Sequence, residues 1–428
     1  MRLHQTLFFT LLCLLPTQLG IHFWPEWASV LGRRIDYLSP TVFLTDVVIF
    51  LILVLFGFEK VSRASFSFAT VFSRRTIAWQ KLAPWLVVIL LVGVNLGVAS
   101  NKPEAIYKWL KVWEFIGLGW YIVQIKPTLL FVLKGLLIGV MYSSVLGLAQ
   151  FLFQHSLGGI FWWLGERTFS GMTPGIARID LGSLIGLKLR SYATLPHPNV
   201  LGGFLAVVLP LALHTLITQT PKREWVKRFF ILAICLGFVA LTLTFSRSAF
   251  VVALLGCGLM LTRQKKYRVA RQVVFVLAVL LIGYLFLNLG YQDESIVVRH
   301  ELNRAGIHFW LQSPLVGIGL GNFLVRLPDV LITRQIYFLQ PAHNIYVLLL
   351  AETGIVGLGL ILWLLYRVYL IRVIKITPIH IALLLLFLLG FIDHYPLTLQ
   401  QGQILLTILL SMSLVQKASK NRSGFVVE

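Results

Sequence analysis

"FFILAICLGFVALTLTFSRSAFVVALLGCGLML", Phe229–Leu261, holds a single charge, Arg247. As one helix its 33 residues would extend about 50 Å at 1.5 Å per residue, well beyond a hydrocarbon core of about 30 Å. A break is therefore expected, and "FSRSAF" is the polar place for it. An arginine at a bilayer centre costs about 2.5–3.5 kcal/mol on the lenient insertion scale. At the mouth of a helix pair it escapes that cost and faces protein or water.

The rest of the chain has the same character. Of 428 residues 58% are hydrophobic and 12% charged, and mean hydropathy is +0.85. A soluble core does not absorb that much apolar surface, and continuous runs, not alternating ones, exclude a β-barrel. The expected fold is all-α: one polytopic integral membrane domain over 1–428 with about 12 transmembrane helices. Spans are placed near 5–20, 41–58, 82–99, 112–125, 127–153, 197–218, 229–245, 248–261, 272–290, 342–366, 378–393 and 403–415. The basic, apolar start "MRLHQTLFFTLLCLLPTQLG" resembles a signal peptide but lacks a small-x-small cleavage site, so a retained span is preferred. Cys13, Cys235 and Cys257 all fall in apolar runs and read as small hydrophobes.

The net charge of +21 raises nucleic acid as a partner, but the basic residues have another explanation. They crowd short gaps between spans. Gaps 59–81, 219–228, 262–271, 367–375 and the tail after 416 carry 20 Lys/Arg, against 13 in the alternate gaps. The positive-inside rule then puts both termini and the tail 416–428 in the cytoplasm, at the inner membrane. It leaves Arg247 and two larger segments, 154–196 and 291–341, on the extracytoplasmic face. In the second segment Val298, Leu302, Ala305 and Phe309 recur at helical spacing, with Arg299, Asn303 and Arg304 elsewhere on the wheel.

Polar clusters on that face are the candidate chemistry. They are Arg247; His197 and Asn199 in "LPHPNVLGG"; Arg299 and Arg304 in "VVRHELNR"; and His343 and Asn344 with Glu352 in "PAHNIYVLLLAETGIVG". Each has a plainer reading as a helix cap, solvated residue or helix anchor. "GIGLGN" lacks the Lys-Ser/Thr of a nucleotide loop, so its glycines make a tight turn or aim N–H groups at an anion. Taken together, arginines, histidines and helix N-termini suit a diphosphate. The histidines are spread along the sequence and carboxylates are few, so neither metal nor other cofactor is expected.

"TFSRSA", "RHELNRAGIHFWLQSPLVGIGLGNF", "HNIYVLLLAETGIVGLGL" and "PHPNVLGGFLA" together resemble the O-antigen ligase-like family of bacterial membrane glycosyltransferases, over about residues 190–365. The resemblance implies a GT-C-like membrane fold and a metal-independent, inverting transfer from an undecaprenyl-diphosphate-linked glycan. It implies that Arg247 and Arg299 hold the diphosphate and that His343 deprotonates or orients the acceptor hydroxyl. Arg299 is preferred to Arg304 by its spacing to Pro314. Arg304, His197, Asn199, Asn344 and Glu352 complete the expected substrate-binding set. The acceptor stays open among a lipid core (ligase), a second lipid-linked glycan (polymerase) and a protein hydroxyl (O-oligosaccharyltransferase). The rival class is a transporter of a small solute or anion.

Overall fold

The computed structural model describes residues 2–63, 79–183, 186–219, 221, 223–261, 294–331, 339–369 and 376–420. The expected span 272–290 and the basic gap 262–271 lie outside the described residues, as do most of gaps 59–81 and 367–375 and the end of the tail. The chain is a helical bundle. Its longer helices are α1 (Leu3–Cys13), α2 (Leu44–Arg63), α3 (Trp79–Val98), α4 (Lys102–Ile125), α5 (Leu129–Phe153), α6 (Pro198–Thr218), α7 (Glu224–Leu243), α8 (Arg247–Leu261), α9 (Glu294–Gln312), α10 (Ile345–Tyr369), α11 (Pro378–Gly390) and α12 (Gln400–Lys420). Among the described residues β-structure is limited to short two-stranded ladders, such as Gly20–His22 against Thr41–Phe43 and Arg178–Asp180 against Leu187–Leu189.

Among the described residues four helices are long and apolar enough to cross a bilayer: Leu129–Phe153, Pro198–Thr218, Glu224–Leu243 and Ile345–Tyr366. Shorter apolar helices, including Leu3–Cys13 and Arg247–Leu261, pack among them. Two boundaries differ from expectation. The span expected over 5–20 ends as a helix at Cys13, where Pro16 cannot donate a helical hydrogen bond and the chain turns into the first ladder. The span expected at 112–125 begins at Lys102, because Asn101 caps its N-terminus by accepting from Glu104 N, and a proline occupies the first turn.

The run Phe229–Leu261 does break. Helix α7 ends at Leu243, Phe245 takes φ 49°, and α8 starts at Arg247. Helix α7 packs on α5 and α6, while α8 packs on α6 and α11. Helix α6, buried along most of its length, is the centre of the main core. Polar ties are few and specific. Lys111 Nζ reaches Asp46 Oδ1 at 2.6 Å and Glu114 Oε2 at 2.7 Å, joining α4 to α2.

A second core covers one end. The stripe Val298, Leu302, Ala305 and Phe309 of α9 is buried against Ile318, Phe323, Ala342 and Leu348, with Ala28, Val30, Ile35 and Leu38 above. What fixes this cap is a lock between "PLVGIGLG" and "AETG". Gly354, at φ 65° and ψ −168°, interrupts α10 and frees the backbone groups that helical pairing would have used. The loop takes them up. Ile318 N donates to Ala351 O at 2.9 Å and Gly319 N to Glu352 O at 3.1 Å, while Ile355 N donates to Pro314 O at 2.9 Å and Val356 N to Leu315 O at 3.2 Å. The fit is close enough to need glycine. A Cβ on Gly354 would lie 2.3 Å from Leu315 C, and one on Gly317 2.3 Å from Glu352 C. Asn95 seals the lock from α3, donating to Val316 O and Glu352 O and accepting from Leu320 N and Trp109 Nε1, all at 2.8–3.0 Å.

Candidate active site

The pocket is built at the end of the bundle where α6, α8 and α10 begin and α7 and α11 end. The segment entering α6 is pinned first. Gln150 of α5 accepts from Ala193 N at 2.7 Å and donates to Ala193 O at 3.0 Å and Glu166 Oε1 at 2.7 Å. Ser191 N donates to Leu243 O at 3.0 Å. That places Arg190 under the C-terminus of α7, where its Nε donates to Thr244 O at 2.7 Å, a favourable position for a cation. Its Nη2 donates to Asn199 Oδ1 at 2.8 Å. Burial, opposed by Tyr192 and aided by the nearby Arg299 and Arg247, pushes the Arg190 pKa down to about 10. The two arginines singled out from the sequence therefore share one electrostatic neighbourhood with a third.

Imidazoles line the same space. His197 is the N-cap of α6 and its Nδ1 accepts from Asn199 N at 3.1 Å, so Nε2 carries the proton of the neutral ring. Burial, then Arg190, lower its pKa to about 4, against the pull of Asp393. His343 precedes α10; burial lowers its pKa, with Asp393 opposing and Arg299 adding to the shift. His394 packs edge-on against His343, ring centroids 5.0 Å apart. Its pKa falls to about 3, through burial first, with Asp393 opposing and His343, His197 and Arg299 reinforcing. Burial would raise Asp393, but His394, His343, Arg299 and His197 outweigh it and hold the carboxyl below its ordinary value. Asn199 Nδ2 donates to Asp393 Oδ2 at 3.3 Å, so one asparagine bridges Arg190 and Asp393.

The expected residues thus divide. Arg299, His197 and His343 act on Asp393, which Asn199 joins to Arg190, and Arg247 acts on Arg190. Glu352 stands apart: it is buried in the glycine lock, where its Oε1 accepts from Phe323 N at 3.2 Å. Asn344 caps α10, accepting from Tyr346 N at 2.9 Å and Val347 N at 3.2 Å, and its amide donates to Phe391 O at 3.3 Å. Arg304 is exposed on α9, five positions from Arg299 and so about 140° round the helix. Arg190, Asp393 and His394 were missed. The signal for the last two was "FIDHYP", an ionisable pair between two apolar helices.

The histidines that look scattered in sequence are not scattered in space. One ligand atom each from His343, Asp393 and His394 lies within 4.8 Å of the others. These residues are the possible holders of a metal ion, but Arg299 acts on all three, and Arg190 and Arg247 add further positive charge to the neighbourhood. A divalent cation would sit against that field with a single carboxylate to offset it. The same field attracts an anion. Three guanidiniums, neutral imidazoles and one carboxylate leave a net positive charge suited to a diphosphate.

Residues 230–364 match the family model described as O-antigen ligase. Over that third of its length the chain is similar to O-antigen ligase. No curated protein matches the chain. The ligase-like region contains Arg247, Arg299, His343 and both halves of the glycine lock; Arg190, His197, Asp393 and His394 reach the pocket from outside it. The match and the apolar helices support a ligase- or polymerase-type membrane glycosyltransferase acting on a polysaccharide or lipid-linked glycan.

Proposed function

We propose that the protein transfers a glycan from an undecaprenyl-diphosphate-linked donor to an acceptor hydroxyl at the extracytoplasmic face of the inner membrane. The observation that supports this reading is that Arg247 and Arg299 both act electrostatically on Arg190, while Arg299 also acts on His343. Arg247 and Arg299 grip the diphosphate, and Arg190 holds the pocket's charge from below. Permanently charged guanidiniums stabilise the leaving diphosphate without a metal. His197 offers its Nε2–H to a phosphate oxygen. His343, neutral near pH 7, takes the proton of the acceptor hydroxyl as it attacks the anomeric carbon from the face opposite the leaving group, inverting that centre. Asn344 holds the start of α10 as its cap, while Arg304 and Glu352 lie outside the charge cluster.

The acceptor is a lipid core, a second lipid-linked glycan or a protein hydroxyl; the same donor chemistry serves all three. Deleting the protein in its host tests the reading. Accumulation of lipid-linked glycan, restored to normal by wild type but not by Arg247→Ala or His343→Ala, is the expected result. Lost solute uptake with normal glycans would instead support the transporter. Full complementation by both variants would overturn the site.

A further inference from the structure

The two rings beside Asp393 are held differently. His394 is fixed on one side. Its Nδ1 lies 2.6 Å from Thr398 Oγ1, and the Thr398 hydroxyl reaches the His394 carbonyl at 3.1 Å. A hydroxyl has one proton. Both contacts are satisfied together when that proton goes to the carbonyl and His394 donates from Nδ1–H, which leaves a lone pair on Nε2. Asp393 Oδ1 lies 4.0 Å from Nε2, too far for a hydrogen bond but close enough to stabilise positive charge on the ring. The carboxylate is itself fixed, accepting from His394 N at 2.8 Å and from Asn199 Nδ2 at 3.3 Å. Tyr37 packs edge-on against the ring at 5.4 Å.

His343 is the opposite case. Its Nδ1 is buried and meets no partner of hydrogen-bonding geometry among the described residues, although the Pro341 carbonyl lies near enough to favour the cation slightly. A buried ring nitrogen without a partner is costly. One ring nitrogen of His343 lies within 4.8 Å of a ring nitrogen of His394 and a carboxylate oxygen of Asp393.

We infer that His394 and Asp393 are the orienting half of a proton-accepting triad. When the donor docks, His343 donates from Nδ1–H to Nε2 of His394, which turns its own Nε2 lone pair toward the acceptor, and Asp393 supplies the counter-charge. His394 is a positioning residue in this scheme, and the inference rests on the transferase reading above. In the step, the acceptor O–H bond breaks and its proton goes to His343 Nε2. The oxygen's electron pair forms the bond to the anomeric carbon. The anomeric carbon–oxygen bond breaks, and its pair leaves on the diphosphate held by the arginines. The groups facing the triad are the cations Arg299 and, through Asn199, Arg190, together with the neutral ring of His197. A bound diphosphate offsets these cations, so His343 gains proton affinity once the donor is in place.

The test uses the full chain in lipid nanodiscs. Undecaprenyl-diphosphate-linked glycan from the deletion host is the donor, membranes of that host supply the acceptor, and release of undecaprenyl diphosphate is followed from pH 5 to 9. His394→Ala is expected to lower kcat about 100-fold with the donor KM unchanged. His394→Gln, which keeps an acceptor oxygen, is expected to recover about tenfold of that loss. Asp393→Asn removes an anion that favours the imidazolium, so the acid limb of the rate profile is expected to move to lower pH as the maximal rate falls. Should His394→Ala fail to fold by gel filtration, the Asp393→Asn limb decides. An unchanged kcat in His394→Ala, a loss confined to KM, or an unmoved acid limb in Asp393→Asn overturns the triad while leaving the transferase reading intact. A wild type that releases no undecaprenyl diphosphate overturns that reading, and the triad with it.

Discussion

The glycine lock and the cationic pocket lie in the same end of the bundle and handle polar groups in opposite ways. In the lock, backbone groups freed by the break at Gly354 are taken up by the 314–319 loop, and Asn95 makes four hydrogen bonds to finish the job. In the pocket, among the described residues, three arginines lie near the carboxylate of Asp393, and Nδ1 of His343 is buried with only the Pro341 carbonyl close by. Satisfied polar groups hold the structure; groups left in excess are held for a ligand. Glu104, beside Gly321, is an exception: it is fully buried, and among the described residues its ion-pair partner is Lys108 Nζ at 3.3 Å.

The contrast breaks most visibly at Gly354. Gly354→Ala forces a Cβ against Leu315 in a left-handed backbone, and loss of folded protein by gel filtration is expected. A folded, active variant would mean that the lock is looser than its geometry. In the pocket, Arg247→Gln should cut transfer by about 100-fold, as loss of charge stabilisation at a leaving group does, while the melting temperature stays level or rises. Arg247 is exposed and lies near the like-charged Arg190, so removing its charge relieves repulsion in the folded state. Asn95→Ala should do the reverse. Stranding four partners costs about 3 kcal/mol or more, read as a lower melting temperature with transfer retained in the surviving folded protein. Glu352→Gln should be mildest, about 1 kcal/mol, because one side-chain oxygen still accepts from Phe323 N.

Acid sharpens the comparison further. His197 and His394 are held at about 4 and about 3 in the folded protein, below the ordinary imidazole value of about 6.5. Below that value the unfolded chain takes up protons that the folded chain refuses. The stability present above about pH 6.5 should therefore decline as pH falls toward about 4. His197→Gln should flatten that decline, as thermal melts at pH 7.5 and pH 5 would show.

Much of this was legible in the sequence, for physical reasons. Hydropathy gave the helices, because a bilayer imposes length and apolarity on any segment that crosses it. The 298–309 stripe gave the buried face of α9, since helical spacing alone lines those residues up. Arg247, Arg299 and His343 stood out as charges in apolar surroundings. Glu352 stood out equally and belongs to the lock, because the cost of burying a carboxyl is the same whether its partner is a backbone amide or a substrate. Arg190 and Asp393 stayed hidden because their importance lies in a contact through Asn199, and spacing along a chain does not reveal which loops meet.

The most direct test is equilibrium binding of undecaprenyl diphosphate to the full chain in nanodiscs, at fixed ionic strength, for wild type and the Arg247→Gln/Arg299→Gln double variant. A grip by guanidiniums predicts that the double variant binds at least about tenfold more weakly, and that added salt weakens wild type more than the variant. Equal affinity with equal salt dependence would contradict the account.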